Sequence, residues 1–404
     1  MKQVAVIGGG ASGMAAALAA AESGAAVTLL ERQARLGRKL AVTGNGRCNL
    51  SNEFCGEGCY HGAPGTFLRP ALAACGVEET LRRFREMGLV TVTEPNGRVY
   101  PLSDTAGSVV DVLRFSLDAA GVRQRLGFEV QSLRRQGSGF LLTGGEGSLY
   151  ADRVIVACGG AAGGKLGGGN SGYGLLAAFG HQITALRPAL VQLRTAGTFC
   201  RGLKGVRADA AVAVLRGERT VAESAGEVQF TEYGLSGPAI FEISRAALEG
   251  PDTWVQLDLM RTLEVAALST LLLHRAETRP GLTLDDLFTG TVHNRLGRML
   301  LKYAGYAGSA PVSSLTRLDA EKLARAAKGV TLQITGDLGF DSAQVTAGGA
   351  DTGAFYADTL ESRLCPGLYA CGEVLDVDGD CGGYNLQWAW SSGFLAGKSA
   401  AGED

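Results

Sequence analysis

The chain is poor in histidine, in net charge and in long apolar runs. It has 4 histidines in 404 residues. His181, His274 and His293 are scattered, and only His61 lies near cysteines, which leaves too few ligands for a zinc site. No uninterrupted apolar run reaches the roughly 20 residues that cross a bilayer, so no membrane span is expected. The net charge is -2, which offers no electrostatic case for nucleic acid or an anionic membrane surface. The first residues enter a core strand at once, so no signal peptide is expected. The 9 cysteines are odd in number, and several sit in apolar, strand-like contexts. That pattern fits a reduced, cytoplasmic protein better than a disulfide framework. The spacing Cys55-Gly56-Glu57-Gly58-Cys59 leaves open a redox pair or two unconnected thiols, because three residues separate them and not two.

Glycine is what the chain has in excess. Its 60 residues are about twice the usual share. They cluster at 8–13, 44–46, 159–174 and 379–383, which suggests backbone brought close to a large ligand. The first cluster is the most telling. Val4 to Ile7 runs into Gly8-Gly9-Gly10-Ala11-Ser12-Gly13, an alanine-rich helix follows, and a second strand ends at Glu31. This order matches a dinucleotide-binding βαβ unit. Gly8 permits the tight turn, Gly10 lets a pyrophosphate approach, and Gly13 lets the helix pack close to the strand. The helix N-terminus offers free N–H groups to phosphates. Glu31 would accept hydrogen bonds from ribose hydroxyls, and Arg32 next to it joins the candidate cofactor residues.

A length of 404 residues exceeds one ordinary core. Residues 66–89 read as helical, 106–120 as an amphipathic helix, and 128–134, 139–143 and 149–151 as hairpin strands. Asp152 to Gly160 reads as a buried strand ending in glycines, with a dinucleotide contact expected at Ala157 to Gly159. After Pro188 the pattern becomes short alternating strands, then helix from 262 to 304. The glycine-rich style returns from about 343. The expected fold is therefore α/β, with a Rossmann-like dinucleotide domain built from both chain ends (1–188 and 343–404). Inserted in it are a β-rich subdomain (189–250 and 309–342) and a helical one (251–308).

Two further stretches turn a dinucleotide into a flavin. Gly367 to Glu373 reads as a strand emerging at a carboxylate, and Asp380-Cys381-Gly382-Gly383-Tyr384-Asn385 reads as a glycine turn opening a helix through Leu386. A nicotinamide domain needs no such element, whereas FAD extends past the first βα turn. Helix N–H groups near Gly382 to Asn385 would face the N1–C2=O edge of the ring and stabilise its reduced form. Gly37 to Asn49 follows the ribose carboxylate directly. Its Lys39, Arg47 and Asn49 offer donors to phosphate or to the pyrimidine edge.

The stretches GGGASGMAAA, GRKLAVTGNGRCNLSN, FTEYGLSGPAIFEIS and GLYACGEVLDVDGDCGGYNLQWAWSSG resemble the bacterial NAD(P)/FAD-dependent oxidoreductases of the BaiN type, aminoacetone oxidase-like flavoproteins. The resemblance spans nearly the whole chain. It implies a glutathione-reductase-like FAD domain with an inserted β-barrel and helical subdomain. Carried over by motif, the implied FAD contacts are Gly8, Gly10, Ala11, Ser12, Gly13, Glu31, Lys39, Thr43, Gly44, Asn45 and Asn49. At the far end they are Glu373, Asp380, Gly382, Gly383, Tyr384, Asn385 and Leu386. Val130 would contact adenine through its backbone, alongside Ala157 and Gly159. One departure from the family pattern is Cys158 to Lys165, which predicts a more flexible loop at 161–170.

The expected activity is FAD-dependent hydride transfer between a small organic substrate and the flavin. The resemblance points to ene-reduction of steroid-like or other conjugated enones. No second strand-glycine-helix fingerprint occurs in 190–340, so NAD(P)H, if used, would dock transiently at the flavin face. The alternatives are an O₂-using amine oxidase and a non-redox, flavin-bound binding or regulatory protein. A local basic patch (Arg201, Lys204, Arg207) is what an RNA-modifying role would use. No residue is singled out as catalytic, and no metal ligand is identified.

Overall fold

In the computed structural model, residues 1–145 and 147–402 are described. Glu146 lies outside the described residues, as do Glu403 and Asp404 at the end of the second dinucleotide-domain half. The chain forms two compact units, one of residues 1–188 with 344–404 and the other of 189–343.

The first unit is organised by a five-stranded parallel sheet. β1 (Gln3–Ile7), α1 (Ala11–Glu22) and β2 (Ala26–Glu31) form the opening βαβ unit. β1 pairs with β2 on one side and with Arg153–Val156 on the other. Leu368–Ala370, from the far end of the chain, pairs with Arg153–Val156, and Arg123–Leu126 pairs with β2. Parallel strands are covered on both faces, so they need continuous apolar runs. Val4, Ala5, Val6, Val154, Ile155 and Val156 are all buried.

Among the described residues, four more α-helices follow α1 before the insertion: α2 (Gly65–Ala74), α3 (Val77–Glu86), α4 (Ala106–Ala119) and α5 (Ser171–Ala177). The helix expected over 66–89 is thus two helices, broken at Cys75 and Gly76. Gly76 takes an extended conformation and caps α3. Glycine is costly inside a helix, so the break falls there. α4 buries Val109, Leu113 and Leu117, the face that its apolar spacing marks. The hairpin strands are Val130–Gln136, Gly139–Gly144 and Gly147–Ala151, joined as an antiparallel meander.

The second unit is a closed six-stranded barrel with helices. The strands follow the order Leu193–Thr195, Gly234–Ser236, Arg219–Phe230, Arg207–Arg216, Thr253–Asp258 and Val330–Asp337. Alternation sorts the side chains: Ala210, Val212 and Val214 are buried, and so are Val255, Leu257, Val330 and Leu332. Helices α6 (Pro238–Leu248), α7 (Val265–Thr278), α8 (Asn294–Tyr303) and α9 (Arg317–Lys328) complete the unit. Leu268, Leu272, Leu296, Leu300 and Leu301 join the barrel residues in one hydrophobic core.

The chain returns to the first unit and ends in α10 (Tyr384–Ala401). α10 lies against α1 along a seam of small residues. A Cβ on Gly393 would sit 2.5 Å from the carbonyl oxygen of Ser12, and one on Gly397 would sit 2.1 Å from that of Ala16. Residues four apart share a helix face, so these two glycines set the interhelical approach. The first and last helices of the chain are thereby locked together.

Candidate functional site

The site begins at the turn between β1 and α1. Gly8 has φ +111°, a left-handed conformation open to glycine at little cost. A Cβ there would lie 2.4 Å from the carbonyl oxygen of Ala157, and one on Gly13 would lie 1.8 Å from that of Gly8. Three backbone segments therefore meet with no room for side chains. Gly10 differs, since a Cβ there would meet nothing within 4 Å. It is the N-cap of α1, and no side chain caps that end. Ala11 and Ser12 open the helix. The result is an open, uncapped helix N-terminus beside a glycine, the setting in which backbone N–H groups bind phosphate.

At the end of β2, Glu31 accepts from the N–H of Gly9 at 2.6 Å and from that of Gln33 at 2.7 Å. Its neighbour Arg32 donates to the carbonyls of Gly167 and Gly168 at 2.5 and 3.0 Å. The N–H of Ala162 donates to Thr346 Oγ1 at 2.9 Å. The loop at 161–170 thus makes hydrogen bonds to Arg32 and Thr346. Ala157 continues the strand Arg153–Val156, its N–H bonded to the carbonyl of Ile7 at 2.8 Å. Beyond it Gly159 faces open space. Val130 starts its strand opposite Gly144 and lines a cleft of about 840 Å³ between that strand and α5.

Within the 37–49 stretch, Leu40–Gly46 folds as a kinked 3₁₀ segment. Gly44, Asn45 and Cys48 all have positive φ, and the Thr43 hydroxyl donates to the carbonyl of Leu40 at 2.7 Å. Lys39 reaches across 334 residues of sequence to Glu373, with Nζ donating to Oε2 at 2.8 Å. The other Glu373 oxygen accepts from the N–H of Thr346 at 2.9 Å. Arg47 turns elsewhere: it pairs with Asp104, and with Glu94 at 3.0 Å, and lies over the Tyr100 ring. Asn49 stays at the site. Its Oδ1 is buried and has no hydrogen-bond partner.

The far-end residues assemble around the start of α10. Gly383 is its N-cap with φ +104°, and no side chain caps it. A Cβ on Gly383 would lie 2.3 Å from the carbonyl oxygen of Ser51 and 2.9 Å from Asn49 Oδ1. The Gly382 carbonyl accepts from Asn52 Nδ2 at 2.9 Å. The Asn385 side chain closes its own loop, accepting from the N–H of Gly379 and donating to its carbonyl at 2.8 and 2.7 Å. Only its backbone is left to serve a ligand. Asp380 bonds His61 Nε2 at 2.8 Å, and the Tyr384 carbonyl accepts from Tyr60 at 2.9 Å. Leu386 is partly buried in the first turn of α10.

Burial pushes Cys48, Cys158 and Cys371 each up to about 12, which keeps them protonated and unreactive. Cys55 is raised by burial and lies 3.1 Å from the Tyr60 hydroxyl, while Cys59 donates to the Phe54 carbonyl. No group of three metal-binding side chains occurs among the described residues.

Sequence reasoning passed over Thr346, Gly160 and Tyr173. A Cβ on Gly160 would meet Thr346 Oγ1 at 2.5 Å and Glu373 Oε1 at 2.6 Å. The Tyr173 hydroxyl is buried without a partner, and burial, with Glu373 second, raises its pKa. The small-residue run Thr346-Ala347-Gly348-Gly349 was the available signal.

The fold and the site together define a Rossmann-like α/β protein with a dinucleotide-type glycine turn and an inserted barrel. The family described as "HI0933-like protein Rossmann domain" matches residues 2–399, and the chain belongs to that family. It is 42% identical over 407 residues to a 3-dehydro-bile acid delta(4,6)-reductase of Clostridium scindens, covering 99% of both chains. It is 31% identical over 397 residues to a ribosomal RNA dihydrouridine synthase of Escherichia coli, covering 97% of this chain and 96% of the other. Among solved structures, a 3-ketosteroid delta1-dehydrogenase from Sterolibacterium denitrificans superposes with a TM-score of 0.51 at 14% identity, covering 99% of this chain and 100% of the other.

Proposed function

We propose that this protein is an FAD-dependent oxidoreductase that reduces a conjugated carbon–carbon double bond in a small organic molecule, with NAD(P)H as electron donor. The observation that carries the reading is the 42% identity to a bile acid delta(4,6)-reductase along the full length of both chains. The site is consistent with it. An open helix start at Gly10 suits the pyrophosphate, and Glu31 suits a ribose. Gly8, Ala11, Ser12, Gly13, Arg32, Thr43, Gly44, Asn45 and Ala157 would shape the nucleotide channel, with Val130 and Gly159 at the adenine side. Lys39 and Glu373 would flank the ribityl chain, and Asn49 with Gly382 to Leu386 the ring. When bound, the flavin supplies the hydride. The chain's own residues bind, orient and exclude water.

The test is anaerobic reduction of the flavin-loaded protein by NADH or NADPH, then addition of a 3-keto-4,6-diene steroid. Bleaching by a nicotinamide and reoxidation by the dienone are expected. Reduction by dithionite but by neither nucleotide overturns the donor assignment, and no reoxidation by any conjugated enone overturns the substrate class.

A second reading, dihydrouridine formation in ribosomal RNA, draws on the 31% relative. The charges weigh against it. Lys204 pairs with Glu232 at 2.7 Å and Arg207 with Glu227 at 3.4 Å, so two of the three basic residues of the patch are already matched by carboxylates. Mass spectrometry of ribosomal RNA from a deletion strain decides this: loss of a dihydrouridine would favour the RNA role.

A further inference from the structure

We infer that Cys55 and Cys59 form a reversible disulfide site, and that its oxidation loosens the first turn of α10. The inference does not depend on the FAD reading. Both thiols are free and partly exposed, on the short loop between strands Ser51–Asn52 and Tyr60–Gly62. Each leans on the residue next to the other cysteine. Cys55 Sγ lies 3.1 Å from the Tyr60 hydroxyl, and Cys59 Sγ lies 3.6 Å from the Phe54 carbonyl oxygen. A 3₁₀ turn over Glu57–Cys59 folds the loop back, with the Cys59 N–H bonded to the Gly56 carbonyl at 3.0 Å.

A disulfide needs Cα atoms about 4.4–6.8 Å apart, and this loop has the freedom to reach that spacing. A Cβ on Gly56 or on Gly58 would meet nothing within 4 Å. Glu57 between them is held by Arg69 of α2 at 2.7 and 3.1 Å. The two glycines therefore act as joints around a fixed point. The alternative partner for Cys59 is Cys381, which follows Asp380, whose N–H bonds the Cys59 carbonyl at 3.0 Å.

The oxidant is a low-molecular-weight disulfide. The Cys59 thiolate attacks one of its sulfurs and expels one thiol. Cys55 then attacks the Cys59 sulfur of the mixed disulfide and expels the second. Two protein thiols become one disulfide, the external disulfide becomes two thiols, and the two protons leave on them. Burial raises the Cys55 thiol, which suits it to the second step, where its target is already beside it. The loss of those protons is what reaches α10. The Tyr60 hydroxyl has one hydrogen, which it donates to the Tyr384 carbonyl at 2.9 Å. Toward Cys55 it can only accept, so the Cys55 S–H is the donor. The chain runs from Cys55 to Tyr60 to Tyr384, the first residue of α10, and bonds in such a chain strengthen one another. A disulfide sulfur has no proton to donate, so oxidation removes the first link and weakens the second.

The test equilibrates the full-length protein, as purified, with mixtures of glutathione and glutathione disulfide. Free thiols are then alkylated and the chain is cleaved after glutamate, which separates Cys55 from Cys59 at Glu57. The expected product is a linked Cys55–Cys59 peptide pair that grows with the share of glutathione disulfide and disappears when glutathione is restored. Cys55→Ser is expected to stop at a mixed disulfide of glutathione on Cys59. Amide hydrogen exchange at the start of α10 is expected to be about fivefold faster in the oxidised protein, equivalent to about one hydrogen bond. Tyr60→Phe is expected to abolish that difference. The difference is a ratio within one protein, so a partly destabilised variant still reports it. No linked pair at any mixture, linkage of Cys59 to Cys381, or no glutathione on Cys59 in Cys55→Ser overturns the site. A linked pair with unchanged exchange, or a difference that survives in Tyr60→Phe, overturns the coupling to α10.

Discussion

Gly13 and His181 each show how one residue ties stability to its surroundings. A methyl group on Gly13 would overlap the Gly8 carbonyl, with the added carbon 1.8 Å from the oxygen. Both atoms belong to backbone, so α1 must move off the turn. Gly13→Ala is expected to cost about 2–3 kcal/mol and to lower bound flavin, measured by urea unfolding and by the flavin-to-protein absorbance ratio. His181 stacks on Phe355 with ring centroids 4.4 Å apart, and its Nε2 bonds Ser362 at 2.8 Å. Its Nδ1 is buried without a partner, and burial lowers its pKa below the ordinary 6.5. The folded state thus prefers neutral imidazole. Its stabilising effect is complete above about pH 6.5 and drains away as the pH falls through that value toward the depressed one, because the unfolded chain takes up the proton first. Stability measured at about pH 7.5 and about pH 5.5 should therefore fall on acidification, and His181→Leu should flatten that fall. The burial that depresses His181 comes from segments distant in sequence, and composition carries no sign of it.

Among the elements, α10 does the most to assemble the site. Trp388 donates to the Gly372 carbonyl at 3.2 Å, next to Glu373, and Trp390 donates to that of Leu50, next to Asn49. Two tryptophans that pack in the core thus also hold both sides of the proposed ring site. One residue before Trp388, Gln387 is fully buried. It accepts from Ser51 at 2.6 Å and donates toward the Cys75 carbonyl, Thr80 and Ser391 at 3.1, 2.9 and 2.9 Å. This network depends on the break at Cys75 and Gly76, which exposes the Cys75 carbonyl to α10. Gln387→Leu strands several buried polar groups and is expected to cost about 2–4 kcal/mol, read from the denaturation midpoint. The apolar period made α4 legible in sequence. It ran α2 and α3 together, because their buried faces continue across the break and a single glycine is a weak stop signal.

At the scale of the whole molecule, the first unit needs both chain ends. Strand Leu368–Ala370 is an edge of its sheet, and α10 covers the small-residue face of α1. A fragment of residues 1–188 leaves both surfaces open and should show no cooperative thermal transition. Adding residues 344–402 as a separate peptide should restore one, followed by circular dichroism. Sequence by itself determined the βαβ opening, the strand at 153–156 and the turn before α10, because period, glycine placement and strand order are local properties. It also singled out the stretches at 37–49 and 373–386 as the proposed cofactor contacts, since close approach to a backbone requires small residues wherever it occurs. Tertiary structure alone decided which of those side chains remain available. Arg47 is taken by Glu94 and Asp104, Asn385 by its own loop, and Lys39 by Glu373. Partners tens to hundreds of residues away settle such pairings, and a hydrogen bond forms only where folding brings donor and acceptor within reach.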